Sequence, residues 1–187
     1  MPDAADASGP AVTIRLVHPD DAPALAVALA RSREALAPWD PVRPASSFTE
    51  AGQRSAVVHS LGVHATGASW PGVILVDGVP AGRVNLNNVV RGAFDSTDLG
   101  YWVDVAHQGR GVATAAVRTV LAVAFDELSL HRVQAGTLVH NTASRRVLAR
   151  NGFAEIGFAP RYIRIAGRWQ DHVLHQRLAD DPAPGDS

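Results

Sequence analysis

Midway along the chain, Leu99, Tyr101, Val103 and Val105 recur at every second position and share one face, so residues 97–105 read as a strand. Directly after them come His107-Gln108-Gly109-Arg110-Gly111-Val112, and then residues 113–128, an Ala/Val/Leu-rich run that reads as a helix. A strand that passes through a two-glycine turn into a helix confines the chain to folds that mix both element types around one core.

The flanking segments agree with that constraint. Residues 12–17 alternate apolar and polar and are rich in β-branched side chains, a strand pattern. His18-Pro19-Asp20-Asp21 supplies a helix start, and Leu25, Leu29 and Leu36 continue at helical spacing up to Pro38. Pro38, Pro41 and Pro44 then impose a loop that carries Trp39, and a second helix begins near Thr49, whose hydroxyl can cap it, and runs to about His64. Residues 72–76 and 81–89 flank Asp77-Gly78, a two-residue hairpin signal. Residues 133–139 are a strand, and residues 142–150 a helix closed by Asn151-Gly152, where a left-handed cap is expected. Residues 153–158, 162–165 and 168–178 finish the chain, with Ala166-Gly167 as a turn. The order β-α-α-β-β-β-α-β-α-β-β describes a mixed α/β (α+β) domain whose sheet is partly antiparallel and partly parallel. No linker separates two cores, so the expectation is one domain over residues 11–178, with residues 1–10 and 179–187 as frayed tails.

Composition removes whole classes of chemistry. The 187 residues include no lysine, so all 17 cations are arginine, which excludes a Walker-type lysine and any Schiff-base or pyridoxal-phosphate anchor. There is no cysteine, and with it go disulfides, thiolate nucleophiles and thiolate-bound metals. A net charge of -1 with no basic block disfavours nucleic acid as a partner. Residues 1–10 lack the pattern of a signal peptide, and no stretch approaches the ~20 apolar residues of a membrane span. The expectation is a cytoplasmic protein without a membrane partner. His172 and His175 fall on opposite faces of a strand, and His59 and His64 are five apart on a helix, so neither pair suits a metal.

The two-glycine turn reads either as a plain tight strand-to-helix turn or as an anion site. N–H groups in the first turn of a helix have no intrahelical acceptor, and the helix dipole adds about +0.5 charge there. A pyrophosphate is the natural occupant. A dinucleotide fingerprint requires an acid at a strand end ~20 residues on, whereas Asp126 and Glu127 fall inside the expected helix.

Gln108-Gly109-Arg110-Gly111-Val112-Ala113 resembles the Gln/Arg-x-x-Gly-x-Gly/Ala acetyl-CoA loop of the GNAT superfamily of N-acetyltransferases. Asn141-Thr142-Ala143-Ser144, followed by Asn151-Gly152-Phe153, looks like that superfamily's next motif. Leu99-Gly100-Tyr101-Trp102 and residues 162–172 are similar to the RimJ/RimL branch, the ribosomal-protein N-terminal acetyltransferases. The resemblance covers about residues 12–178 and implies a mixed central sheet splayed between two parallel strands and flanked by helices.

The resemblance also implies the chemistry: direct transfer of acetyl from acetyl-CoA to an amine, with the N-terminal α-amine of a protein such as a ribosomal protein as acceptor. The backbone around Val103 and Val105 would pair with the pantetheine arm, and the amides of Gln108, Gly109, Arg110, Gly111, Val112 and Ala113 would hold the pyrophosphate. Asn141 would touch the pantetheine, or else is only the cap of the following helix. Ser144 would protonate the leaving thiolate. Arg146 would reach a cofactor phosphate. Trp39, in the proline loop, would be a lid over the acceptor groove or a satellite core aromatic, and Tyr101 and Tyr162 would line the acceptor side. Where relatives carry an acid, this chain has Arg161 and Gly136, so Asp98 becomes the first candidate for the base, with Asp171 and Glu155 behind it. An α-amine, with a pKa of about 7.7–8.0, needs only a weak base or a water relay. Two alternatives stay open, a small-molecule amine acceptor such as an antibiotic or polyamine, and a non-catalytic acyl-CoA-binding domain. Monomer and homodimer are both compatible with the sequence.

Overall fold

The structure, a computed structural model, describes residues 10–182. Strands β1 (Val12–Leu16), β2 (Trp70–Val76), β3 (Val79–Val90), β4 (Ser96–Val103), β5 (Arg132–Leu138), β6 (Ala154–Ile165) and β7 (Arg168–Leu178) form one sheet in the order β1-β2-β3-β4-β5-β7-β6. Every neighbouring pair is antiparallel except β4 and β5, which are parallel. The helices are α1 (Ala22–Arg31), the one-turn α2 (Arg33–Leu36), α3 (Glu50–Ala65), α4 (Val112–Ala122) and α5 (Thr142–Arg150).

Strand alternation gives the sheet two cores. Ile74, Val84, Leu86, Leu99, Val103 and Val133 point to one face and pack on Val112, Val117 and Val120 of α4 and Leu148 of α5. Val73 points to the other, where it meets Leu25 of α1, Val57 of α3 and the half-buried Trp102. The cofactor-type motif and the early helices therefore lie on opposite sides of the same sheet.

Local signals read from the sequence operate as expected at several joints. Thr49 caps α3 by accepting from the Gly52 N–H at 3.1 Å. At the end of α5, Gly152 has φ +75°, its N–H bonds the Ala149 carbonyl, and Phe153 N–H bonds the Leu148 carbonyl. That is a Schellman closure, and Leu148 and Phe153 are both core residues.

Other joints differ. The expected first helix is interrupted at Ser32, a buried residue whose hydroxyl serves a different part of the molecule. The expected long helix is regular only to Ala122 and then widens into a π turn, Val123–Glu127, with Leu128 N–H bonded to the Val123 carbonyl. Residues 153–158 and 162–165 are one strand, β6, which holds its partner across two register shifts. Residues 1–9 and 183–187 of the expected tails lie outside the described residues. The intervening residues 179–182 are tied down: Ala179 N–H bonds the His131 carbonyl, and Arg177 donates to the carbonyls of Asp181 and Pro182.

Candidate active site

The parallel pair is short. β4 and β5 are in register only at Ser96↔Arg132, Thr97↔Val133 and Asp98↔Gln134, although both strands continue beyond that point. Past Asp98 they form a fork. Backbone groups in an antiparallel strand alternate between its two neighbours. Asp104 N–H bonds Ala81 on the β3 side, so Tyr101 and Val103 present their N–H and C=O groups to the fork. On β5, Arg132 N–H reaches back to Asp95 while the His131 carbonyl serves the β7 side, so by the same alternation Gly136 and Leu138 face the fork.

The end of β4 is clamped from the opposite layer. Asp104 is buried; its carboxylate accepts from Arg31 Nε at 3.0 Å, from Arg31 Nη2, from Ser32 Oγ at 3.3 Å and from the Ala106 N–H at 3.1 Å. Ser32 Oγ in turn accepts from the Val105 N–H at 2.9 Å. Burial alone raises a carboxyl's pKa, but here the hydrogen bonds from Arg31, Ala106 and Ser32, with the charge of Arg31, hold Asp104 below its ordinary value. The sequence reading gave Val105 a free strand amide. It has none to offer, because the chain leaves the strand at Val103 and enters a single 3₁₀ turn, Val105–His107, whose first amide Ser32 takes. Val103 keeps its place on the fork, with its carbonyl accepting from Gln108 Nε2 at 3.1 Å.

From Gln108 the chain runs through Gly109 at φ +73° and Gly111 at φ +80° into α4. A Cβ at either glycine would meet nothing within 4 Å, so sterics with neighbours do not demand glycine there; the left-handed backbone does. The same measurement shows open space above the turn. The first helical bond is Ala115 N–H to the Gly111 carbonyl, and the N–H groups of residues 109–114 have no protein acceptor among the described residues. Val112 is buried at the base, Ala113 is half-buried, and Arg110 is exposed. Six unsatisfied amides, two turns that only glycine adopts readily, and an exposed arginine suit a pyrophosphate.

On the α4/α5 side of the fork, Tyr101 reaches across to the first turn of α5, where its hydroxyl lies 2.7 Å from Ser144 Oγ. Burial pushes the Tyr101 phenol up to about 12, partly offset by the Ser144 hydrogen bond, so the phenol is protonated at neutral pH. Asn141 Oδ1 accepts from the Ser144 N–H at 3.0 Å. This is the capping role, one of the two read for Asn141 from the sequence. Arg145 is committed to Glu155 at 2.6 Å and to the Val139 carbonyl, while Arg146 is exposed and forms no ion pair among the described residues.

On the opposite face, Asp98 accepts from Asn88 Nδ2 at 2.9 Å and lines a cavity of about 40 Å³ with Gln134, Gly136, Tyr162, Leu174 and His175. That volume holds one or a few waters. Tyr162 is half exposed and stands edge-on to His172, with ring centroids 5.7 Å apart. Trp39 packs on His140 at 5.4 Å, and the adjoining Asp40 carbonyl accepts from the Ala166 N–H of the β6–β7 turn. The proline loop thus touches the fork's mouth and the final hairpin. Asp171 and Glu155 are occupied elsewhere, Asp171 by the Arg161 N–H and Glu155 by Arg145.

The model of the acetyltransferase (GNAT) domain matches residues 11–154. The chain belongs to the GNAT acetyltransferase family. Among GNAT relatives, it is 35% identical over 176 residues to the [ribosomal protein uS5]-alanine N-acetyltransferase of Escherichia coli K12, covering 93% of this chain and 91% of that protein. It is 43% identical to the probable N-acetyltransferase YjcK of Bacillus subtilis over 100 residues, 54% of this chain and 55% of that one. Mycobacterium smegmatis RimJ in complex with CoA-disulfide superposes with a TM-score of 0.87 at 34% identity, covering 90% of this chain and 82% of that one. The ribosomal-protein-S5-alanine acetyltransferase of Vibrio fischeri gives a TM-score of 0.85 at 31% identity, over 91% and 94% of the two chains.

Within this GNAT framework the structure gathers Tyr101, Val103, the turn from Gln108 to Ala113, Asn141, Ser144 and Arg146 around one side of the fork, and Asp98, Tyr162 and Trp39 around the other. Sequence reasoning missed the Asp104-Ser32-Arg31 clamp, whose members are 72 residues and more apart in pairwise contact with Asp104. It also missed the hydrogen bond between Tyr101 and Ser144. Sequence reasoning grouped Tyr101 with Tyr162 on the acceptor side, whereas the structure sets the Tyr101 hydroxyl against Ser144 on the α4/α5 face, and no signal in the sequence placed Ser144 opposite it.

Proposed function

We propose that this chain, as one domain over residues 11–178, transfers the acetyl group of acetyl-CoA to the N-terminal α-amine of a ribosomal protein. The observation that carries the reading is the fork itself: a gap in a parallel strand pair, opening beside a turn of unsatisfied amides, in a chain 35% identical over nearly its full length to a uS5-alanine N-acetyltransferase. Acetyl-CoA supplies the acetyl thioester. The amides of residues 109–113 hold the pyrophosphate, and Arg110 and Arg146 add charge beside it. The fork-facing groups of Tyr101 and Val103 pair with the pantetheine as an added strand would. An N–H on the same edge polarises the carbonyl under attack, a contribution of about 3–4 kcal/mol for one well-placed donor.

Ser144, hydrogen-bonded to a protonated Tyr101, delivers the proton to the departing thiolate. Asp98 faces the cationic acceptor, and Trp39 and Tyr162 flank it. Val105 has no part in binding, and Asn141 acts through the start of α5. A ribosomal acceptor places the enzyme in the cytoplasm. The test is acetyl incorporation by the purified protein into peptides carrying ribosomal-protein N-termini, beside a panel of antibiotics and polyamines. Turnover confined to peptides, falling when the peptide is cut to its first residue, is the expected result. Preference for a small amine would replace the acceptor, and acetyl-CoA binding without any turnover would replace the reaction.

A further inference from the structure

We propose that His172 is the group that takes the proton from the acceptor amine, an inference that rests on the acetyltransfer reading above. Its imidazole is almost wholly buried, at 3% exposure, and Nδ1 lies 2.9 Å from the Gln170 carbonyl oxygen. A carbonyl only accepts, so Nδ1 carries the hydrogen and the neutral ring keeps its lone pair on Nε2. Nε2 has no protein partner among the described residues. A histidine whose one nitrogen is fixed as donor and whose other is left basic is arranged as a proton acceptor.

Its position gives that lone pair something to act on. Cδ2, bonded to Nε2, lies 3.6 Å from the point that a Cβ on Gly136 would occupy, and Tyr162 Cε1 lies 3.7 Å from the same point. Gly136 is two residues beyond Gln134, the last β5 residue paired with β4; across the gap, Gly100 is two residues beyond its partner Asp98. Both glycines are therefore on the face opposite α4 and α5, at the first level where the strands part. Neither strand carries a side chain there. The parted strands thus leave a window at this level, bordered by Leu174, whose Cδ2 lies 3.8 Å from the Gly136 point, and by Asn87, whose Nδ2 lies 3.3 Å from the corresponding point on Gly100; across it an amine on the His172 face would meet a thioester on the Ser144 face.

In the step, Nε2 takes one proton from the ammonium, the freed amine forms the N–C bond to the acetyl carbon, the C–S bond breaks and the thiolate takes its proton from Ser144; the second proton, shed by the nitrogen as the amide forms, passes through water to restore Ser144, and Nε2 releases its own proton to solvent. Other titratable groups surround His172. Tyr162 of β6 lies edge-on, His140 follows β5 two residues after Leu138, the register partner of His172, and Asp98 of β4 sits one level below the window. Asp171, the preceding residue, is turned away and holds the Arg161 N–H. Asp98 is the rival base, but it lies where the strands are still paired and its Oδ2 is engaged by Asn88.

The experiment compares pH–rate profiles of wild type, His172→Gln and Asp98→Asn with acetyl-CoA and an acceptor peptide, alongside calorimetric CoA affinity and ¹⁵N NMR of the imidazoles in the free protein. Expected are a Nδ1–H tautomer for His172, a drop of about 100-fold or more in kcat/KM for His172→Gln with loss of the acid-side limb, where protonation of the base slows the wild type, and CoA affinity unchanged within about twofold. Asp98→Asn should keep the limb. If His172→Gln does not fold, Gly136→Val, which fills the window, should lower kcat with CoA affinity intact. A Nε2–H tautomer, a retained limb in His172→Gln, full activity in Gly136→Val, or loss of the limb in Asp98→Asn overturns the proposal. A wild type inactive on every amine would instead defeat the acetyltransfer reading, and the tautomer measurement would still decide how His172 is arranged.

Discussion

The two sides of the fork are made of different material. On the α4/α5 side the groups offered to a ligand are mostly main chain: the edges of Tyr101 and Val103 and the amides of residues 109–114, with Tyr101 and Ser144 as the side chains that meet. On the other side they are side chains drawn from four separate stretches, Trp39, Asp98, Tyr162 and His172. A main-chain site tolerates most substitutions and fails at the positions that set backbone shape. A side-chain site fails residue by residue, and its specificity drifts with each change.

That contrast can be broken first at its exception. Ser144→Ala and Tyr101→Phe should each slow acetyl transfer by about 100-fold while sparing CoA affinity, and the double variant should be no worse than about the poorer single, because the two hydroxyls act as one pair. Single-turnover rates beside calorimetry read both quantities. Next comes Gly111→Val, which places a β-branched residue at φ +80°. Strain of about 1–3 kcal/mol should weaken CoA binding by about 10-fold or more, whereas Val112→Ile, at the next residue but compatible with the helix, should do far less. Equal losses would mean that the side chain rather than the backbone carries the site.

A smaller effect is expected at the clamp. Asp104→Asn should lower the melting temperature by several degrees and weaken CoA binding a few-fold. Because its interactions hold Asp104 below the ordinary carboxyl value, they persist at any pH above about 4 and are lost only as pH falls through the depressed value. The wild type's stability should therefore fall more steeply on the acid side than that of the asparagine variant, which keeps only the contributions of other depressed carboxylates such as Asp21, a difference measurable by thermal melts across that range. Smallest of all, Trp39→Ala should raise the peptide KM a few-fold with CoA affinity unmoved; a change in CoA affinity would show that the two sides are less separate than they look.

How far the sequence could be read follows the same division. The order of elements, the α5 closure at Gly152 and the glycine turn were all legible, because each depends on local periodicity or on a backbone conformation that few residues adopt. The fork was not, since nothing in residues 96–98 and 132–134 announces that pairing stops there. Val105 was misread because the period of two continues one step past the true end of β4, and only Ser32, 73 residues away, reveals that its amide is already in use. His172 was weighed as a metal ligand and set aside; its meaning depends on the missing side chain of Gly136, on a different strand.

The Asp104 clamp has a mechanical consequence. It fastens the C-terminal end of α1 to the lip of the glycine turn, and the chain continues from α1 past Ser32 and through α2 to Trp39. With acetyl-CoA and a peptide bound as proposed, tightening of the turn around the pyrophosphate would act through this clamp on α2 and the loop that carries Trp39. Deuterium uptake at residues 33–40 should slow when CoA alone is added, so the first guest prepares the door for the second.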